Sequence, residues 1–212
     1  MKRLLFLTST GLPKETRNYF LEKLDKKPQD LKAAFIPTAA DPENNKWFVE
    51  AARDELVTLG FQVEDVDLKI DPGVLRKKLE NSDIIYINGG NTFYLLEQVR
   101  KSGLDKYLEE LINSGKIYIG ASAGSVLVGP NIEAAGWDPG WDKNINGLED
   151  LTGINIVPYL VAPHFTEEDR DIIERNKPNV NYEVVPITDK QAILIKDNDM
   201  DIVGEGETVV LK

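Results

Sequence analysis

An α/β fold with a mostly parallel sheet, covered by helices on both faces, is what this 212-residue chain predicts. Three observations carry it. Short apolar runs alternate with amphipathic stretches through the first 120 residues, the pattern of strands joined by crossover helices. The amphipathic stretches carry helix punctuation, such as Pro72 in a first turn and Gly60 after a last one. Gly89-Gly90, Ser122 and His164 all fall at or just after the ends of apolar runs, where open parallel sheets bind ligands.

In order, Arg3–Ser9 reads as a buried strand. Thr16–Lys26 follows as a helix with Tyr19, Phe20 and Leu24 at helical spacing. Ala33–Pro37 is the second strand and Asn45–Leu59 a helix. Gln62–Asp67 is the third strand and Pro72–Asn81 a helix. Ile84–Asn88 is a fourth strand. Helical stretches Thr92–Ser102 and Leu104–Ser114 lead to the strand Ile117–Gly120. Residues 130–153 break the alternation with glycines, two tryptophans and several acids, and a loop of this length points to function. Asn181–Leu211 reads as short β segments separated by turns at Asp197-Asn198-Asp199 and Gly204-Glu205-Gly206. With no repeat or linker, the expectation is one domain over residues 1–212.

Composition narrows the chemistry. The net charge of −11 leaves no basic face to neutralise phosphates, so no nucleic-acid partner is expected. The chain has no cysteine, which rules out disulfides, thiolate metal sites and a cysteine nucleophile. One histidine and no cysteine disfavour zinc, an all-carboxylate site stays open, and no metal ligand is assigned. The apolar start Leu4–Leu7 is too short for a signal peptide, and no run of 18 apolar residues exists, so a cytoplasmic protein without membrane contact is expected.

The motif with most chemical content is Gly120-Ala121-Ser122-Ala123-Gly124 after the apolar run Ile117–Ile119. Flanking small residues allow a sharp strand-to-helix turn that exposes a serine Oγ, a nucleophile elbow. The amides at the start of the following helix would face a developing oxyanion. Serine needs a base, and the chain has one imidazole, His164, 42 residues downstream. Acidic residues between the two suit a triad in the order Ser, acid, His. Alone, each motif also has a plainer reading: a tight turn at Ser122, a strand-to-helix turn at Gly89-Gly90, an ordinary histidine at His164.

Together, Asn88-Gly89-Gly90-Asn91-Thr92, Gly120–Gly124 and Pro163-His164-Phe165, with Phe35–Ala39 near the start, resemble the peptidase E family of serine peptidases (S51), which includes an Asp-X dipeptidase and cyanophycin-degrading enzymes. The resemblance implies a three-layer α/β/α sandwich of class I glutamine amidotransferase-like, flavodoxin-like type. It also implies a cofactor-free hydrolase of short peptides, Asp-X dipeptides among them, and a homodimer. Ser122 matches the family's nucleophile, His164 its base, and Gly90 and Ala123 its oxyanion-hole donors. The acid departs from the pattern, because an ungapped overlay puts Trp137 in its place. Asp138, directly before Pro139, is the nearest replacement, with Asp142 and Glu133 as rivals. Asn91, Thr166 and Arg170 are the candidate substrate contacts. Arg170 or Arg175 could serve as a carboxylate fork, although both suit pairing along a helix face. Two alternatives stay open: another serine acyl hydrolase such as an esterase, and a binding module of the same fold that has lost catalysis, suggested by Trp137.

Overall fold

A computed structural model describes residues 3–211. Five strands pair in parallel: β1 (Leu4–Thr8), β2 (Lys32–Ile36), β3 (Gln62–Asp65), β4 (Ile84–Ile87) and β5 (Ile117–Ala121). Two antiparallel strands, β8 (Gln191–Lys196) and β9 (Asp199–Gly204), extend the sheet beyond β1, giving the order β3-β2-β4-β5-β1-β8-β9. A separate parallel pair joins β6 (Tyr159–Ala162) to β7 (Glu183–Pro186).

Alternation along the strands builds two cores. Leu5, Leu7, Ala34, Ile36, Ile85, Ile87, Tyr118, Ile193 and Ile195 point to one face. There they meet α3 (Pro72–Glu80), α4 (Thr92–Ser102), α5 (Leu108–Asn113) and α6 (Ala123–Leu127). Phe6, Ala33, Phe35, Ile84, Tyr86, Ile119, Ala192 and Leu194 point to the other, against Phe20 of α1 (Arg17–Leu21) and Ala52 and Leu56 of α2 (Trp47–Thr58). Side chains alternate across a strand, so near-continuous apolar strands imply helices on both faces. The result is a three-layer α/β/α arrangement. A third, smaller core of Leu160, Ala162, Phe165 and Val184 lies under the β6–β7 pair. It packs against Ile173 of α7 (Arg170–Asn176) and against Trp137 and Trp141 of the long loop.

The expected elements form, with three differences, one being that residues 207–211, expected as a β segment after the Gly204-Glu205-Gly206 turn, form no strand. The helix expected over Thr16–Lys26 spans only Arg17–Leu21, since only Phe20 of its residues is buried. The stretch expected over Leu104–Ser114 divides into a 3-10 turn, Leu104–Lys106, and α5, with Tyr107 at φ −139° between them. The long loop carries a 3-10 turn, Glu133–Gly136, and an antiparallel bridge between Asn131 and Thr152. Among the described residues no helix is long and apolar enough to cross a membrane.

Candidate active site

The carboxyl ends of β1, β4 and β5, adjacent in the sheet, meet at one point. Ser122 follows β5 at φ 50° and ψ −111°. This is a conformation that a non-glycine residue adopts only when its surroundings impose it. They do so by close packing. Ser122 N–H donates to Thr8 O at 2.8 Å, and the Tyr118 hydroxyl donates to Gly124 O at 2.7 Å. A Cβ on Gly124 would lie 2.2 Å from Ile87 O, so α6 can start against β4 only with glycine there. Ser125 Oγ binds the backbone of both Thr8 and Gly120, tying the first turn of α6 to β1 and β5.

Opposite the elbow, the Gly89-Gly90 turn after β4 approaches equally closely. Gly90 has φ +137°, and a Cβ there would sit 2.3 Å from the Ala39 carbonyl carbon. Asn91 N–H donates to Ala39 O at 2.8 Å, holding the turn on the segment after β2. The Asn91 side chain is committed to structure. Its Oδ1 caps α4 by accepting from Tyr94 N–H, and its Nδ2 donates to Lys143 O. Ala123, the first residue of α6, carries one of the amides that a helix N-terminus leaves without an intrahelical partner.

His164 follows β6, also at positive φ (61°). Its Nε2 lies 2.9 Å from Ser122 Oγ, and its Nδ1 lies 2.7 Å from Asp189 Oδ1. With Nδ1–H donating to the carboxylate, Nε2 is free to accept from the serine hydroxyl. That hydrogen bond holds the Asp189 carboxyl below the usual carboxylate range, against the opposing effect of partial burial. Pairing of β6 with β7 sets the distance. Phe165 N–H donates to Ile187 O and Ile187 N–H to Ala162 O, both at 3.0 Å, so the two strand ends leave their last residues side by side. Ser9, buried at the end of β1, accepts from His164 N–H at 2.9 Å, and its hydroxyl lies within 3.3 Å of Ile187 O and Thr188 O. It links the small sheet to the large one.

The acid beside His164 therefore comes after it in the chain. Asp138 is instead turned into its own loop, where its Oδ1 accepts from Gly140 N–H at 2.6 Å. Glu133 opens the 3-10 turn and lines neither cavity that opens on Ser122. Asp142 comes nearer. It lines both cavities with Ser122 and His164, but its Oδ2 accepts from Thr92 N–H at 2.7 Å rather than from the imidazole. Burial pushes its carboxyl up. Thr166 is occupied in a capping box with Asp169. Arg170 reaches neither cavity. It pairs with Glu167 and Glu174, donates to Val210 O and stacks on Phe165. A helix start that places Glu167 three residues before Arg170 captures the guanidinium locally. Among the described residues, no group of three or more carboxylates and imidazoles converges as a metal site.

Two cavities open on Ser122. The smaller, about 150 Å³, has mostly apolar walls, including Val126, Ala135, Trp141 and Val161. The larger, about 680 Å³, runs past Gly89, Gly90 and Asn88 toward Trp47, Phe48 and Glu55.

The model of Peptidase family S51 matches residues 5–203. The chain belongs to this peptidase family. An uncharacterized peptidase of Listeria monocytogenes is 34% identical over 200 residues, covering 92% of this chain and 96% of that protein. Peptidase E of Shigella flexneri is 32% identical over 165 residues, covering 77% of this chain and 69% of the relative. Among solved structures, a Listeria monocytogenes protein described as a candidate peptidase E superposes with a TM-score of 0.84 at 31% identity, covering 97% of this chain and all of that one. A peptidase from an acI-B1 actinobacterium shares the fold, with a TM-score of 0.70 at 19% identity, 100% of this chain and 91% of that one being covered. Membership of S51 makes this chain a peptidase, and its α/β fold is that of the family.

Proposed function

We propose that this S51 peptidase is of the serine type and hydrolyses short peptides through Ser122, His164 and Asp189. The observation that carries the reading is the continuous line of contacts Ser122 Oγ–His164 Nε2–His164 Nδ1–Asp189 Oδ1, at 2.9 and 2.7 Å, built on a strained elbow. Ser122 attacks the scissile carbonyl as His164 Nε2 takes its proton. Asp189 holds the imidazole in the tautomer that can accept that proton and stabilises the imidazolium that forms. Collapse of the tetrahedral intermediate passes the proton from Nε2 to the leaving amine, and water then reverses the sequence on the acyl-enzyme. The amide of Ala123, next to Ser122 at the start of α6, and that of Gly90, which lines the larger cavity with Ser122, are the proposed oxyanion donors, where one such bond is worth about 3 kcal/mol.

Intact-mass labelling with a neutral fluorophosphonate tests this. Wild type takes up one adduct, and Ser122→Ala takes up none while losing peptide turnover by about 10⁴-fold or more. Turnover near the wild-type rate in Ser122→Ala overturns the reading.

A further inference from the structure

The charge around Ser122 is one-sided. The ionisable groups lining the two cavities are Glu43, Glu55, Asp142, Asp189 and His164, and neither cavity is lined by a lysine or an arginine among the described residues. Lys190 lines a third, shallow depression that His164 and Asp189 also border, and there it pairs with Glu205. Arg170, the cation that could have read an acidic substrate, is held on the surface by Glu167. A substrate carboxylate entering either cavity meets like charges and no partner, which repels it.

Asp142 stands out within this set. Among the described residues it is the only acidic side chain lining the smaller cavity, whose other walls are mostly apolar. Its carboxylate is fixed by Thr92 N–H at the first turn of α4, and among the described residues no lysine or arginine pairs with it. Desolvation outweighs the Thr92 hydrogen bonds and the attraction of His164, which is why its carboxyl is pushed up. A buried carboxylate without a cation is costly, and a cation arriving with the substrate relieves that cost. The cavity has room for roughly five waters, the size of one small group. Asn88, 3% exposed, lines the larger cavity beside Gly89 and Ser122, and its buried Nδ2 has no hydrogen-bond partner among the described residues.

We propose that Asp142 reads a substrate ammonium, so that the preferred substrates are peptides carrying a positive charge on the residue whose carbonyl Ser122 attacks. This rests on the serine-peptidase reading above and reverses the Asp-X expectation. The ammonium can be the free α-amine of a small N-terminal residue or a basic side chain, and the two share one chemistry at Asp142.

The test is kcat/KM of the full chain on aminoacyl anilides of Ala, Lys and Asp, each with a free and an acetylated amine. If the α-amine is read, free Ala exceeds acetylated Ala by about tenfold or more, as expected for a hydrogen bond to a charged group. If a side chain is read, acetylated Lys exceeds acetylated Ala by a similar factor. In either case Asp substrates are the poorest, and Asp142→Asn, which keeps an acceptor for Thr92 N–H, removes the preference chiefly through KM. Equal cleavage of charged and uncharged substrates, or a preference for Asp, overturns the inference. So does a serine that takes up fluorophosphonate while no member of the panel is cleaved. Failure to label Ser122 at all counts instead against the serine-peptidase reading.

Discussion

The two halves of the proposed catalytic arrangement are built differently. Ser122 lies on the large sheet, on an elbow whose neighbours Ala121, Ala123 and Gly124 are buried and whose backbone is bound by β1 and β5. His164 and Asp189 lie on the ends of a two-stranded sheet, with side chains 49% and 61% exposed. Ser122 is held by close packing that tolerates no extra atom. His164 and Asp189 are held by strand pairing, by the small core under β6 and β7, and by Ser9. One half is therefore expected to fail through the fold, and the other through chemistry alone.

The largest test of this contrast is Gly90→Ala. The added Cβ would meet the Ala39 backbone at 2.3 Å in a backbone conformation that alanine avoids. Unfolding free energy is expected to fall by about 1–3 kcal/mol, by denaturant titration, with activity lost alongside. A variant as stable as wild type would mean that the turn yields more easily than its packing suggests.

Asp189→Asn comes next and should separate activity from stability. An asparagine cannot orient the imidazole as the carboxylate does, and in buried triads that change costs about 10⁴-fold. Asp189 is mostly exposed, so a smaller drop in kcat is expected, about 10–100-fold, with an unchanged melting temperature. A variant with wild-type kcat would remove Asp189 from the mechanism and return Asp142 to consideration as the acid.

The smallest expected effect is on the pH dependence of stability at Asp142. Its carboxyl is raised in the fold, so the protonated form favours folding. That contribution is fully present below the unfolded value near 4 and is lost as pH rises through the raised folded value. Asp142→Asn cannot ionise and escapes this loss. Its melting temperature relative to wild type should therefore rise from pH 4 upward and level off once Asp142 is ionised. A difference that shrinks with rising pH would show that the carboxylate is better satisfied than its burial implies.

The elbow was readable because it is local. Small residues on both sides of Ser122, after an apolar run, have few other uses than a crowded turn, and the contacts of Gly124 with Ile87 show the crowding. His164 was readable by scarcity, as the one imidazole in the chain. Asp189 left no such mark. It lies in Thr188-Asp189-Lys190, a polar turn between two strands, where aspartate is ordinary. The acids that suit the order Ser, acid, His, namely Asp138, Asp142 and Glu133, lie between Ser122 and His164, whereas the contact comes 25 residues after the histidine. Ser9 was equally unmarked, a serine at a strand end that gains a role only when His164, after β6, meets it.

By itself, then, the sequence determined the alternation of strands and helices, the two-faced sheet and the strained serine, because hydrophobic period and turn sterics act over a few residues. Only the tertiary structure decided which acid meets the histidine, which loop carboxylate lines the cavity and that Arg170 stays away from it. Those outcomes depend on pairing register between distant segments, such as Ala162 opposite Pro186, and on local capture by nearby charges. The energies of such long-range pairings are shared among many residues, so no single stretch of the chain displays them.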